Sequence, residues 1–427
     1  MSPQTTGVLG FCALVVLLVF GCPVGLALIV IGALGVAAII GPMPALRVIE
    51  TAVFDVATNA SFTLIPLFLL MGALAARAGL SRDLFAAAHR LTRGWPGGLA
   101  LTGITASAAF AAISGSSLAT ASTMTRIAWP EMARLGTDPR LAAGSLAAGA
   151  TLGIMIPPSI ALLLYALITE QSVAAMFLAG VLPGLLGFVL YAVAAMAVAR
   201  VWQAGGQPEA LAGTLSGVLP VLGLFTLVIA GLYGGVFTPL EAGGVGAALA
   251  LVLALWRGVG LGAIRAAFTE TVVTAATLFF ILIGAEVFGY LLSLSRLTQL
   301  LSATIDTAGW GAFELMAAIL VLYLVLGCIL ESLAMILLTV PVLYPLVVAA
   351  GIDPIWFGII CVVAVEVGLI TPPLGLNLFV VRAGVPGLSL GVLWRGVVPF
   401  VAADLVRLAL LLALPCLALW LPRSLGY

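Results

Sequence analysis

At 427 residues, with 63% hydrophobic and 7% charged side chains and a mean hydropathy of +1.31, the chain is too apolar for a water-soluble globule. It reads as a polytopic helical membrane protein. A formal net charge of zero and the absence of lysine leave no basic patch for nucleic acid, and a single histidine excludes HExxH metalloprotease chemistry.

The N-terminus lacks the charged region and small-residue cleavage site of a signal peptide, so the first apolar stretch reads as retained membrane helix. Apolar runs able to span a core of ~30 Å fall at about 5–20, 24–40, 61–78, 141–167, 173–199, 212–233, 236–256, 271–293, 355–381 and 396–420. Two further apolar stretches, about 95–130 and 308–347, are interrupted by polar residues. In the first, Leu118 to Trp129 is too short to cross. Arg77, Arg82, Arg90 and Arg93 precede this stretch, and Arg126, Arg134 and Arg140 lie at or beyond its end. The positive-inside rule then puts both ends in the cytoplasm, which makes the stretch a re-entrant hairpin turning at Ser114-Gly115-Ser116-Ser117. The second stretch lies among Asp306, Glu314 and Asp353, and its hairpin should enter from the opposite side and turn near Gly327 to Ser332. Arg200, Arg257, Arg265, Arg382 and Arg395 fall in the cytoplasm on this count, Arg296 is the exception, and both termini lie outside. The expected halves are 1–205 and 206–427, joined by the soluble linker Gln203-Ala204-Gly205-Gly206-Gln207-Pro208-Glu209.

The halves match at a constant offset of 215 positions. Ser116-Ser117 answers to Glu331-Ser332, Pro130 to Pro345, Gly136-Thr137-Asp138-Pro139 to Gly351-Ile352-Asp353-Pro354, Gly153 to Gly368, and Pro157-Pro158 to Pro372-Pro373. An inverted repeat of Gly/Pro-interrupted segments is the sequence mark of a transporter's ion and substrate site. Tandem proline removes two helical donors, so the segments 149–159 and 368–377 should be helices broken near their midpoints. Half-helix carbonyls hold cations and half-helix N-termini face anions. The first tip, with three serine hydroxyls and Thr120 within a turn, offers the uncharged oxygen ligands that suit Na⁺.

Among other polar residues, Glu331 and Glu366 are candidates for a role at the second site or for structural hydrogen bonding, whereas Glu286 stands outside both repeat copies. Glu241 reads as an N-terminal acid complementing a helix dipole. His89 reads as an interfacial side chain on a short amphipathic stretch, and Cys12, Cys22, Cys328, Cys361 and Cys416 as packing residues. Asp55, Asp83, Asp138, Asp306, Asp353 and Asp404 all read as lying at or near loops and interfaces, which leaves no aspartate pair for intramembrane catalysis. A channel is disfavoured because opposed re-entrant segments make an occludable site more naturally than a pore.

The stretches 113–117, 147–159, 177–184, Phe237-Thr238-Pro239-Leu240-Glu241-Ala242 and 368–377 together resemble the large membrane subunit of tripartite ATP-independent periplasmic (TRAP) transporters, in family order over nearly the whole chain. The departures are small, such as Leu240 where the family more often shows Thr. The resemblance implies an all-α, elevator-type carrier in the bacterial inner membrane that takes up organic acids with Na⁺ as coupling ion and no other cofactor. It also implies a small four-helix membrane subunit, not expected to be fused here, and a periplasmic substrate-binding protein as partners. Carried over by position, Ser114, Gly115, Ser116, Ser117, Gly149, Thr151, Gly153 and Pro157 would build one Na⁺ site. Gly327, Glu331, Ser332, Gly368, Thr371, Pro372 and Gly375 would build a second, with Asn377 on the broken helix beside it and Thr120, Ser159 and Asn377 facing substrate. The alternative is a self-sufficient divalent-anion-type carrier that shares the repeat but needs no binding protein.

Overall fold

The structure is a computed structural model that describes residues 2–202, 218–328 and 330–427. The linker expected at 203–209, the boundary between the two halves and the start of the span expected at 212–233 lie outside the described residues. Those described fold into helices and short connections, with no strand among them.

α1 (Pro3–Val19) and α2 (Val24–Ile40) are the first two expected spans. α3 (Pro42–Thr58), which carries Arg47, Glu50 and Asp55, is an amphipathic helix that a search for apolar runs passes over. A 3₁₀ turn, Ala60–Thr63, leads into α4 (Leu64–Arg77), and α5 (Leu80–Thr92) follows. His89 on α5 departs from the interfacial position expected of it. It is buried against the next helix, with Nδ1 3.4 Å from Thr102 Oγ1, because the apolar face of α5 packs inward and carries the ring with it.

The two interrupted stretches are helical hairpins. α6 (Gly98–Ser114) and α7 (Ser117–Arg134) form the first, and α15 (Ala312–Gly327) and α16 (Ser332–Ala349) the second. Each return helix ends in the same way. Gly136 and Gly351 adopt left-handed φ of 75° and 72°, Asp138 and Asp353 cap the next helix through their carboxylates, and Pro139 and Pro354 take its first turn. The Arg140 guanidinium, in contact with the Asp138 carboxylate, holds that acid below its usual range.

The helices that begin there are broken as expected. α8 (Pro139–Thr151) passes through a 3₁₀ turn, Leu152–Ile154, and a non-helical stretch before α9 (Ile160–Ile168) resumes. α17 (Pro354–Ile370) stops before Thr371, and α18 (Leu376–Gly384) continues after it. Pro157-Pro158 and Pro372-Pro373 sit in the two breaks, both with cis peptide bonds. Starts of α7 and α16, ends of the same helices, starts of α8 and α17, and both diproline breaks all keep the 215-residue offset.

The remaining helices are α10 (Val173–Val201), α11 (Leu219–Tyr233), α12 (Pro239–Trp256), α13 (Leu261–Ser295), α14 (Leu297–Thr307), α19 (Leu390–Ala413) and α20 (Cys416–Ser424). At 35 residues α13 is about 52 Å long, more than the expected 271–293 span and more than a perpendicular crossing requires. The span expected at 396–420 is instead two helices, since Pro415 cannot continue the hydrogen-bond ladder of α19. Glu241 closes a capping box with Thr238 at the start of α12, as its position implied. Among the described residues, six helices are long and apolar enough to cross a bilayer, and several more are shorter and apolar.

Small residues set the helix spacing. A Cβ on Gly32 of α2 would lie 2.9 Å from the α13 backbone at Val287 and Phe288, and one on Gly284 of α13 would lie 2.8 Å from the Gly25 carbonyl. Backbones that close gain the dispersion contact that replaces the hydrophobic effect in a membrane.

Candidate functional site

The first hairpin turns where Gly115 takes a φ of +62°, a conformation that ends α6 and frees Ser116 to cap α7. Ser116 Oγ accepts from the Ala119 N–H at 3.3 Å, and Ser114 Oγ lies 2.8 Å from Thr120 Oγ1 and 3.5 Å from the Ser116 carbonyl. A Cβ on Gly153 would stand 2.4 Å from Ala111 Cβ, one on Gly149 3.0 Å from Ile104 Cα, and one on Gly115 3.0 Å from Ile160 Cγ1. Of the expected first-site residues, Ser114, Gly115, Ser116 and Ser117 form the tip of α6–α7, Gly149 and Thr151 lie in the last turn of α8, Gly153 in the 3₁₀ turn after it and Pro157 in the break, and close glycine contacts join α6 to α8 and to that turn. Ser159 is buried in the same break, donating to the Ile154 carbonyl and accepting from the Leu162 N–H at 3.2 Å as the cap of α9. Carbonyl ends of α6 and α8 and capped N-termini of α7 and α9 meet there. Such a junction offers neutral oxygens to a cation and helix N-termini to an anion.

The second junction repeats this geometry. Gly327, at the end of α15, crosses Gly368 of α17 so closely that a Cβ on Gly368 would lie 2.5 Å from Gly327 Cα. Thr371 Oγ1 donates to the Val367 carbonyl at 2.6 Å, Pro372 follows in the break, and Gly375, with φ +55°, precedes α18. Glu331 caps α16. Its carboxylate accepts from the Leu333 and Ala334 N–H groups at 3.0 and 3.2 Å and from Ser332 Oγ at 2.8 Å. Of the two roles open to Glu331 in the sequence, hydrogen bonding to its own helix is the one this geometry displays.

Asn377 lies on α18 of the second broken helix, as expected, but its side chain reaches further than the sequence suggests. Its amide reaches the first tip, where Nδ2 donates to Ser117 Oγ at 2.5 Å and to the Ala147 carbonyl at 3.2 Å. Its Oδ1 is buried with no hydrogen-bond partner. α18 packs on α7 and α8, which carries the Asn377 side chain across to the other copy of the repeat. The offset gives no hint of this, since the position matching Asn377 is Leu162. Thr120, Ser159 and Asn377, the three residues expected to face substrate, are all fully enclosed in this conformation.

A second polar cluster joins Glu366, one of the two candidate acids of the second repeat copy, to residues that nothing in the sequence connects with it. Glu366 on α17, Asp404 and Arg407 on α19 and Tyr191 on α10 are each completely buried. Arg407 Nη2 donates to Glu366 Oε2 and lies 2.9 Å from Asp404 Oδ1, while the Tyr191 hydroxyl donates to Asp404 Oδ2. Thr151 Oγ1 of the first site lies 3.2 Å from that same tyrosine oxygen. Gly187 on α10 makes the room, since a Cβ there would stand 2.2 Å from Arg407 Nη1. Asp404 is thus a core ion-pair member and not a residue near a loop. Its burial follows from the Arg407 side chain one helical turn on, which supplies the opposite charge at i+3. An acid and a base three apart inside an apolar run were the available signal.

The chain matches the family model of the tripartite ATP-independent periplasmic transporter, DctM component, over residues 11–417. It is 36% identical over 387 residues to the C4-dicarboxylate TRAP transporter large permease protein DctM of Pseudomonas aeruginosa, covering 89% of this chain and 90% of that one. It is 33% identical over 381 residues to the sialic acid TRAP transporter large permease protein SiaM of Vibrio cholerae, covering 86% and 88%. The crystal structure of the Alcanivorax borkumensis YdaH transporter shares the fold, with a TM-score of 0.61 at 18% identity over 90% of each chain. These relatives are membrane permeases and not enzymes, and the chain belongs to the DctM family of TRAP transporter large permease subunits.

Proposed function

We propose that this permease takes up an organic acid across the bacterial inner membrane, coupled to Na⁺, by an elevator movement. The observation that carries the reading is the matched pair of junctions, in each of which a hairpin tip closes on a broken helix through glycine contacts. On this reading the halves 1–205 and 206–427 insert in opposite orientations, and the two hairpins with the two broken helices move as the carrying body. Ser114, Ser116, Ser117 and Thr151 would supply neutral oxygens to one Na⁺, and the Gly327, Gly368 and Thr371 region to a second. Relatives named for C4-dicarboxylate, sialic acid and 2,3-diketo-L-gulonate transport support an organic acid as cargo. Family membership supports a periplasmic binding protein and a small membrane subunit as partners.

The test is uptake into proteoliposomes that hold this chain with its small membrane subunit and its binding protein. Transport should require all components and an inward Na⁺ gradient, and Ser116→Ala should raise the half-saturating Na⁺ concentration while lowering the melting temperature only by the modest amount that the lost α7 cap costs. Uptake driven by a pH gradient in the absence of Na⁺ would refute the coupling. Transport by this chain alone would favour the self-sufficient carrier.

Orientation is tested separately. In a cysteine-free background, Ala133→Cys and Ala350→Cys sit on exposed ends of α7 and α16. The first should react with an impermeant maleimide only from the cytoplasm and the second only from the periplasm. Reaction of both from one side would remove the inverted repeat.

A further inference from the structure

Building on the Na⁺ reading of the first junction, we propose that Tyr191, held by Asp404 and Arg407, is a positioning residue that orients the Thr151 hydroxyl for the cation.

A hydroxyl oxygen ligates a cation through a lone pair, so its single proton must be directed elsewhere. Thr151 Oγ1 has two places to send that proton, the Ala148 carbonyl at 2.8 Å and the Tyr191 oxygen at 3.2 Å. Tyr191 also has one proton. The Asp404 carboxylate accepts it through Oδ2, which leaves the phenol oxygen facing Thr151 as an acceptor. The other Asp404 oxygen is ion-paired at 2.9 Å with Arg407 Nη2 and accepts no hydrogen bond, while the same guanidinium nitrogen donates to Glu366. The chain Thr151–Tyr191–Asp404–Arg407–Glu366 runs through α8, α10, α19 and α17, and every member is buried. Glu366 is two residues before Gly368, so one polar network touches the broken helix of each junction. Packing alone does not call for this arrangement, because replacing a buried ion pair or triad by apolar residues of similar volume is often neutral or stabilising.

The experiment measures Na⁺ activation of uptake in the reconstituted system for Tyr191→Phe and Asp404→Asn, with Ser116→Ala as the direct-ligand comparison and melting temperature recorded for each. Phenylalanine keeps the ring and removes only the oxygen. Asp404→Asn keeps the side-chain shape and leaves Arg407 balanced by Glu366, so it provides a folded variant should Tyr191→Phe fail to fold. The half-saturating Na⁺ concentration should rise roughly three- to tenfold in Tyr191→Phe, the range expected for one lost hydrogen bond, and by a smaller factor in Asp404→Asn, whose amide oxygen still accepts from Tyr191 but more weakly than a carboxylate, with maximal rate largely kept. Threonine at the ligand position should matter equally, so Thr151→Val should shift Na⁺ at least as far, and adding Tyr191→Phe to it should produce little further shift. If Ser116→Ala shifts Na⁺ activation while Tyr191→Phe and Asp404→Asn lower only the melting temperature, the tyrosine is structural and the proposal is wrong. If none of the variants shifts it, the junction is not a Na⁺ site and the positioning role falls with it.

Discussion

Replacing Arg407 by methionine should nearly eliminate folded protein, as judged by the yield of monodisperse material after extraction and by its melting temperature. The reason is a charge count. Glu366 and Asp404 are both completely buried, and the Arg407 guanidinium is the cation that contacts them. Removing one member of a buried ion pair costs about 3–5 kcal/mol, because the partner charge is stranded in a medium that cannot solvate it. Here two carboxylates would be stranded, and the stability of a domain is itself only about 5–15 kcal/mol. Methionine approximates the length of the arginine stem, so the loss would report charge more than volume. The triple variant Arg407→Met, Glu366→Gln, Asp404→Asn removes all three charges and should recover a large part of the melting temperature. Recovery would assign the defect to uncompensated charge. A triple variant as unstable as the single one would show that the guanidinium acts through packing under Gly187, not through charge.

The parts of this fold that could be read from the sequence are those in which a backbone requirement selects a residue type. Gly136 and Gly351 are needed for left-handed turns, Asp138 and Asp353 for capping, Pro139 and Pro354 for a first turn, and the diprolines for breaks. Each leaves a mark at a fixed place, and two copies at one offset make the marks hard to mistake. Features that depend on which face of a helix meets which neighbour leave no such mark. α3 and α14 are too polar for an apolar-run search, His89 turns inward only because α5 packs on α6, and Asn377 crosses to the first junction only because α18 lies against α7 and α8. The ion-pair cluster lies between these cases. Asp404 and Arg407 mark each other at i+3, but Tyr191 and Glu366 enter from helices far apart in sequence and are joined only by the packing of α10, α17 and α19.

Gly368→Ala should abolish transport, whereas a helical glycine facing open space should tolerate the same change. At Gly368 the added methyl carbon would lie 2.5 Å from Gly327 Cα, 2.7 Å from its carbonyl carbon and 3.0 Å from its oxygen. Those are backbone atoms, so no rotamer change relieves the clash, and α15 must move away from α17. Overpacking of this kind costs about 1–3 kcal/mol, and more where the neighbour is rigid. The larger effect is geometric. If this junction holds Na⁺ as proposed, its ligands tolerate displacements of only a few tenths of an ångström, while this clash demands more than that where Gly327 crosses Gly368. Gly244 in α12 has nothing within 4 Å of its added carbon, so Gly244→Ala should leave transport intact and raise helix stability slightly. The comparison uses uptake rate per reconstituted protein, with melting temperature to separate misfolding from a displaced junction. Gly368→Ala that folded and transported like Gly244→Ala would mean that the close crossing of Gly327 and Gly368 is dispensable, and the second junction would then have no part in holding the ion.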